Sequence, residues 1–114
     1  PFLTIPSVEG PHGERVRFLA MVDNGAMINA IDTETYHRVQ RRMNTLSPSQ
    51  RTLRMADGSL TASSGTWTGT LQWGAAKVQT LFEVFPSKGS WKMLIGKPLL
   101  DQLWAIHDYG KDSI

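Results

Sequence analysis

Met21-Val22-Asp23-Asn24-Gly25-Ala26 runs an apolar strand directly into an acid and a glycine. A carboxylate at the end of a buried strand costs free energy unless hydrogen bonds or a shifted pKa compensate. That cost marks Asp23, among ten acidic residues, as a functional candidate. Taken alone, Asp-Asn-Gly is also good turn composition, so the stretch needs a second signal. It comes near the other end, in Met93-Leu94-Ile95-Gly96-Lys97-Pro98-Leu99-Leu100, where an apolar run ends in a glycine and restarts as a helix.

Working outward, most of the chain reads as strands. Val16, Phe18, Ala20 and Val22 alternate with Arg17, Leu19 and Met21, as in one strand that grows more buried toward Asp23. Glu9-Gly10-Pro11-His12-Gly13-Glu14 is a turn joining it to Phe2-Leu3-Thr4-Ile5. Trp67, Leu71 and Trp73 share one strand face, opposite Thr66, Thr68, Thr70 and Gln72. Gly74-Ala75-Ala76 turns that strand into Val78–Phe85, making a hairpin. Met55-Ala56-Asp57-Gly58-Ser59-Leu60 holds an Asp-Gly turn and reads as a second hairpin tip.

Two helices interrupt the strands. Asp32 is placed to cap the first, whose apolar stripe is Tyr36, Val39 and Met43. The second follows Gly96, with Pro98 in its first turn and Leu99, Leu100, Leu103 and Trp104 as its buried face. Asn44 to Ser49 is a polar loop.

Composition excludes several classes of function. The chain has 114 residues, 40% hydrophobic and 19% charged, which suits one globular domain spanning 1–114. Without cysteine there is no disulfide, no Cys-ligated zinc and no cysteine nucleophile. The three histidines, His12, His37 and His107, have no ligand spacing, so neither metal nor cofactor is expected. No apolar run reaches membrane-spanning length, and the first residues show no basic-then-apolar leader, so no membrane partner is expected. The abrupt opening at Pro1 reads as a segment cut from something larger. A net charge of +2 is too mild to argue for nucleic acid, and Arg38, Arg41, Arg42, Arg51 and Arg54 read as a solvated face.

The order of strand, Asp-x-Gly-Ala, short helix, Asp-Gly hairpin, two long strands, apolar-apolar-Gly and helix resembles the retropepsin-like aspartic proteases of retroviruses and long-terminal-repeat retrotransposons. Asp23-Asn24-Gly25-Ala26 is similar to the family's Asp-Ser/Thr-Gly-Ala, and Leu94-Ile95-Gly96-Lys97-Pro98-Leu99-Leu100 to its Ile-Ile/Leu-Gly-x-x-Leu-Leu. Asn29 and Ile31 stand where retrotransposon members often carry Asn and an apolar residue. The resemblance implies an all-β closed barrel with a flap hairpin, one short C-terminal helix and an active site on a homodimer axis. It further implies an aspartic endopeptidase acting on a polypeptide, such as a retroelement polyprotein, in the cytoplasm or within virus-like particles. Asp23 would be catalytic. Gly25 and Ala26 would floor the cleft, and Met55, Ala56, Asp57, Gly58 and Ser59 would close over substrate.

Chemistry explains the pattern. Hydrolysing a peptide without a metal takes a base to activate water and an acid to protonate the leaving nitrogen. Two adjacent carboxylates do both, because like charges make them share one proton. This sequence has one Asp-x-Gly, so a second Asp must come from another copy across a two-fold axis. Two departures from the family stand out. Asn24 replaces the Ser or Thr whose hydroxyl joins a grip across the axis. Lys97 replaces the usual Arg, and its expected acidic partner is missing from Met27-Ile28-Asn29. The alternative function is a domesticated or degenerate copy that dimerises or binds peptide without cutting.

Overall fold

The computed structural model describes residues 1–55 and 57–112, with 106–112 described by backbone alone. Its strands are β1 (Phe2–Thr4), β2 (Ser7–Glu9), β3 (Arg15–Arg17), β4 (Ala20–Val22), β5 (Ala30–Asp32), β6 (Thr52–Arg54), β7 (Leu60–Ala62), β8 (Gly65–Trp73), β9 (Ala76–Phe85) and β10 (Met93–Ile95). Helix α1 is Thr33–Val39, followed by a 3-10 turn at Gln40–Arg42, and α2 is Lys97–Asp112.

Among the described residues, eight strands form one sheet in the order β1-β4-β10-β5-β9-β8-β2-β3, and β6 and β7 form a separate hairpin. The long β8–β9 hairpin runs in antiparallel register from Gly65↔Val84 to Trp73↔Ala76. Two parallel pairings tie distant parts of the chain together. β10 lies beside β4 with Val22 opposite Ile95, and β9 lies beside β5 with Asp32 opposite Phe85. The sheet curls as a half-barrel around a core that includes Val16, Phe18, Ile31, Trp67, Leu71, Phe82, Ile95 and Leu99. Trp67 and Phe82 pack with ring centroids 6.0 Å apart and planes 56° apart.

Most of the alternation read from the sequence survives. Val16, Phe18, Ala20 and Val22 are buried, and Arg17 and Leu19 are exposed. The expected single strand is nevertheless two. The Phe18 amide donates to the Pro6 carbonyl at 3.1 Å, and there the chain changes partners, from β2 to β1 and β10. Pro6, which has no N–H to give a ladder, likewise divides the opening segment into β1 and β2. The Glu9–Glu14 turn therefore joins β2 to β3, not β1 to the strand that reaches Asp23.

Asp32 caps α1 as expected, its Oδ2 accepting from the Thr35 amide at 3.0 Å. Tyr36 and Met43 are buried, although the helix gives way to the 3-10 turn before Met43. In α2, Leu99 is fully buried and Leu100 and Leu103 pack against the core. Trp104 does not join that buried face: it is 67% exposed. Five residues at about 100° each turn it roughly 140° away from Leu99.

Candidate functional site

The Asp23 loop sits where β4 ends, and the last strand holds it. The Asp23 amide donates to the Ile95 carbonyl at 3.0 Å, extending the parallel ladder one step past Val22. The turn then closes on itself. The Gly25 amide donates to Asp23 Oδ1 at 2.9 Å, and the Ala26 amide to the Asp23 carbonyl at 3.1 Å. A Cβ on Gly25 would stand 3.2 Å from Asp23 Oδ1, so glycine lets the backbone come this close to the carboxylate. Asp23 is half-buried, and no described residue donates a hydrogen bond to its Oδ2. Asn24 is exposed, and beside it Pro1, Phe2, Val22 and Leu100 line a groove.

A buried amide locks this loop to the start of α2. Asn29, 4% exposed, accepts through Oδ1 from the Gly96 amide at 3.1 Å and from the Leu99 amide at 3.2 Å. Its Nδ2 donates to the Leu81 carbonyl at 3.2 Å. The first amides of a helix have no intrahelical acceptor. Asn29 therefore caps α2 from a distant part of the chain, as an N-cap side chain would do locally. The Lys97 amide adds a bond to the Ala26 carbonyl at 2.8 Å. Gly96 is pressed against this loop so closely that a Cβ would overlap the Ile28 carbonyl. Lys97 itself turns to Asp101, 3.5 Å away and one helical turn on.

A small apolar cluster packs beside the loop. Ala30, Phe85 and Leu94 form a cluster apart from the main core, with Met21, Ala26, Ile28, Leu53 and Trp91 packed against it. Leu53 belongs to β6, so the β6–β7 hairpin packs on the same cluster as Ala26. At the hairpin tip the Gly58 amide donates to the Met55 carbonyl at 2.9 Å, and the Met55 amide to the Ser59 carbonyl at 2.7 Å. The Ser59 hydroxyl and amide both donate to Asp57 Oδ1 and hold the exposed Asp57 carboxyl below the usual range. Thus Asp23, Asn24, Gly25 and Ala26 form one loop, while Met55, Asp57, Gly58 and Ser59 form a separate turn, linked to that loop through Leu53. Ala56 lies outside the described residues.

Asp32 has a structural place. Besides capping α1, its Oδ1 accepts from the Ser87 amide at 2.9 Å. Burial pushes this carboxyl up, but hydrogen bonds from Ser87 and Thr35 outweigh it and hold it below the ordinary aspartate value. Among the described residues no three His, Asp or Glu side chains converge on a point, and the His107 side chain lies outside them.

The sequence reading missed Glu83. It lies on β9, is 6% exposed, and accepts from Ser49 Oγ at 3.1 Å, Ser63 Oγ at 2.8 Å and Thr66 Oγ1 at 3.2 Å. Arg51 Nε stands 3.4 Å from its Oε1. A Glu inside an otherwise apolar strand stretch, Leu81-Phe82-Glu83-Val84-Phe85, was the available signal.

No protein-family profile matches the chain, and neither does any curated protein. Among solved structures, the fold is similar to the retroviral protease-like domain of Ddi1 from Leishmania major. The TM-score is 0.63 at 16% identity, over 88% of this chain and 74% of that one. The fold is therefore retropepsin-like: mostly β, with a curled sheet and a C-terminal helix.

Proposed function

We propose that the chain is an aspartic endopeptidase that works as a homodimer, with Asp23 of each copy as the catalytic pair. The observation that carries this reading is the Asp23 carboxylate. One oxygen is held by the Gly25 amide, and the other meets no described donor, on a half-buried loop that packs through Ala26 and Ile28 on an apolar cluster. The retropepsin-like fold supports it. A single Asp23 loop supplies half the chemistry, so a second copy completes it.

In that dimer two carboxylates share one proton. The ionised one takes a proton from water as its oxygen attacks the peptide carbonyl, and the protonated one gives its proton to the carbonyl oxygen. The resulting diol collapses as the nitrogen is protonated and the C–N bond breaks. The β6–β7 hairpin acts as the flap, with Met55 to Ser59 closing over substrate to exclude water. A retroelement polyprotein, processed in the cytoplasm or in virus-like particles, is the substrate we infer.

The test is cleavage of a mixed peptide library by the wild type and by Asp23→Asn. Cleavage should rise as pH falls below neutral, because the pair works only while it holds one proton. It should vanish in the variant, whose melting temperature stays close to wild type. Equal cleavage by both proteins would rule the mechanism out. Asn24 favours a second reading, a dimer that binds peptide without cutting, because it lacks the hydroxyl of the family's grip. Peptide binding without cleavage at any pH would establish that reading instead.

A further inference from the structure

Beyond the Asp23 loop, a cavity of about 220 Å³ opens beside Met27, Ile28, Leu81 and Pro98, with Arg51 and Glu83 in its wall. Ile28 lines this cavity and also packs on the apolar cluster that Ala26 touches, so the cavity adjoins the Asp23 loop. Arg51 and Glu83 are the titratable groups among the lining residues. Their roles differ. Each Glu83 oxygen already has two partners: Ser49 and Arg51 at Oε1, Ser63 and Thr66 at Oε2. A carboxylate with both oxygens engaged this way has little left to offer a ligand.

Arg51 is the reverse case. Its Nε stands 3.4 Å from Glu83 Oε1 as an ion pair, and its side chain is 59% exposed. No described residue takes a hydrogen bond from its terminal amino groups. The neighbouring polar side chains are already used: Asn29 on Leu81, Gly96 and Leu99, and Thr80 on Gln102, which in turn bonds the Gln79 carbonyl. Glu83 thus keeps the guanidinium at the cavity wall, and its terminal amino groups have no acceptor among the described residues. A guanidinium with its terminal amino groups unengaged can take a carboxylate through two parallel N–H···O bonds. A basic side chain would be repelled by the exposed Arg51, and the Glu83 side chain is 7% exposed with both oxygens engaged.

We infer that Arg51, held by Glu83, selects an Asp or Glu side chain in the bound peptide, at a position flanking the scissile bond. This inference rests on the peptide cleft proposed above and names the class of peptide it takes. Ile28 lies five residues along the chain from Asp23. At no more than about 3.6 Å per residue, the acidic side chain falls within about five residues of the cleaved bond. In a two-fold dimer each flank of the peptide would meet one such arginine.

The experiment uses the full chain and a position-scanned peptide library to find the flanking site. Matched peptides carrying Glu, Gln or Lys there are then compared, by cleavage with the wild type and by fluorescence anisotropy with Asp23→Asn. Glu should exceed Gln by roughly three- to tenfold in both readouts, the worth of a charge-assisted pair at a partly exposed site, with Lys lowest. In Arg51→Gln the Glu-to-Gln ratio should fall to about one. Arg51→Lys, which keeps the charge and loses the fork, should retain part of it. Should Arg51→Gln fail to fold, the wild-type ratio must shrink from low to high salt. No acidic preference at any position, a preference unchanged in Arg51→Gln, or one indifferent to salt would overturn the inference. Cleavage without acidic preference defeats this inference alone. Acid-selective binding without cleavage defeats the protease reading and supports this one. Failure to bind any peptide overturns both.

Discussion

The Asp23 amide donates to the Ile95 carbonyl, and this one bond joins the two sequence signals that bracket the chain. Asp-x-Gly and apolar-apolar-Gly are distant in sequence and adjacent in space, because β10 enters the sheet between β4 and β5. The carboxylate is positioned by the second motif as much as by its own turn.

Asn29 should be the residue whose loss most loosens that arrangement. Asn29→Leu is close in volume but strands the Gly96 and Leu99 amides and the Leu81 carbonyl inside the protein. The expected cost is roughly 2–4 kcal/mol, from unpaired buried groups at about 1–3 kcal/mol each, partly relieved by relaxation. Chemical denaturation checks it, and a change under about 1 kcal/mol would contradict the capping role.

Gly96→Ala should be worse than a helix propensity scale suggests. Alanine is the better helix former, yet here its Cβ would overlap the backbone of Ile28, which cannot move aside as a side chain can. We expect a loss above about 3 kcal/mol or no soluble protein. Circular dichroism and melting of the variant decide this.

Asp32 sets an acid limit on stability. Its carboxyl is held below the ordinary value in the folded chain, so its contribution is full above the unfolded value, about 3.9, and is lost as pH falls through the lower folded value. Wild-type stability should therefore decline below about pH 4. Asp32→Asn should cost roughly 1–3 kcal/mol at neutral pH and flatten that decline. Parallel melts across pH would show it, and identical acid slopes for the two proteins would refute it.

Assembly should be weak and tunable at Asn24. Phe2 and Leu3 on the edge strand β1 are 59% and 61% exposed, and a groove beside Asn24 is lined by Phe2 and Leu100. Sedimentation over a concentration series should show a dimer that dissociates on dilution, with specific activity falling in step. Asn24→Thr restores the family's hydroxyl and should leave dimer affinity and turnover equal or higher. A large loss of both would mean that the amide is an adapted part of the site.

The sequence made the Asp23 loop, the Gly96 junction, the Asp32 cap and the two hairpins legible, because each depends on a local rule about turns, caps or alternation. What it hid was tertiary. Asn29 is marked in the sequence only by its place after Asp-x-Gly; that its amide caps a helix beginning far along the chain is visible only in the fold. Glu83 on β9 and Arg51 just before β6 pair across segments whose approach no periodicity encodes. Trp104 was misplaced because an apolar residue one step from Leu103 extends the stripe on paper while turning out of it in space.

The parallel seating of β10 beside β4 also has a consequence in time. Ribosomal synthesis makes Asp23 well before Met93–Ile95, so until those residues emerge the chain carries its carboxylate on an untethered turn. A nascent chain that stops short of Met93 should show no amide protection at Asp23. On the proposed protease reading, competence to cleave would then wait for the synthesis of Met93–Ile95, and whatever has been made before that point would be safe from the unfinished cleft.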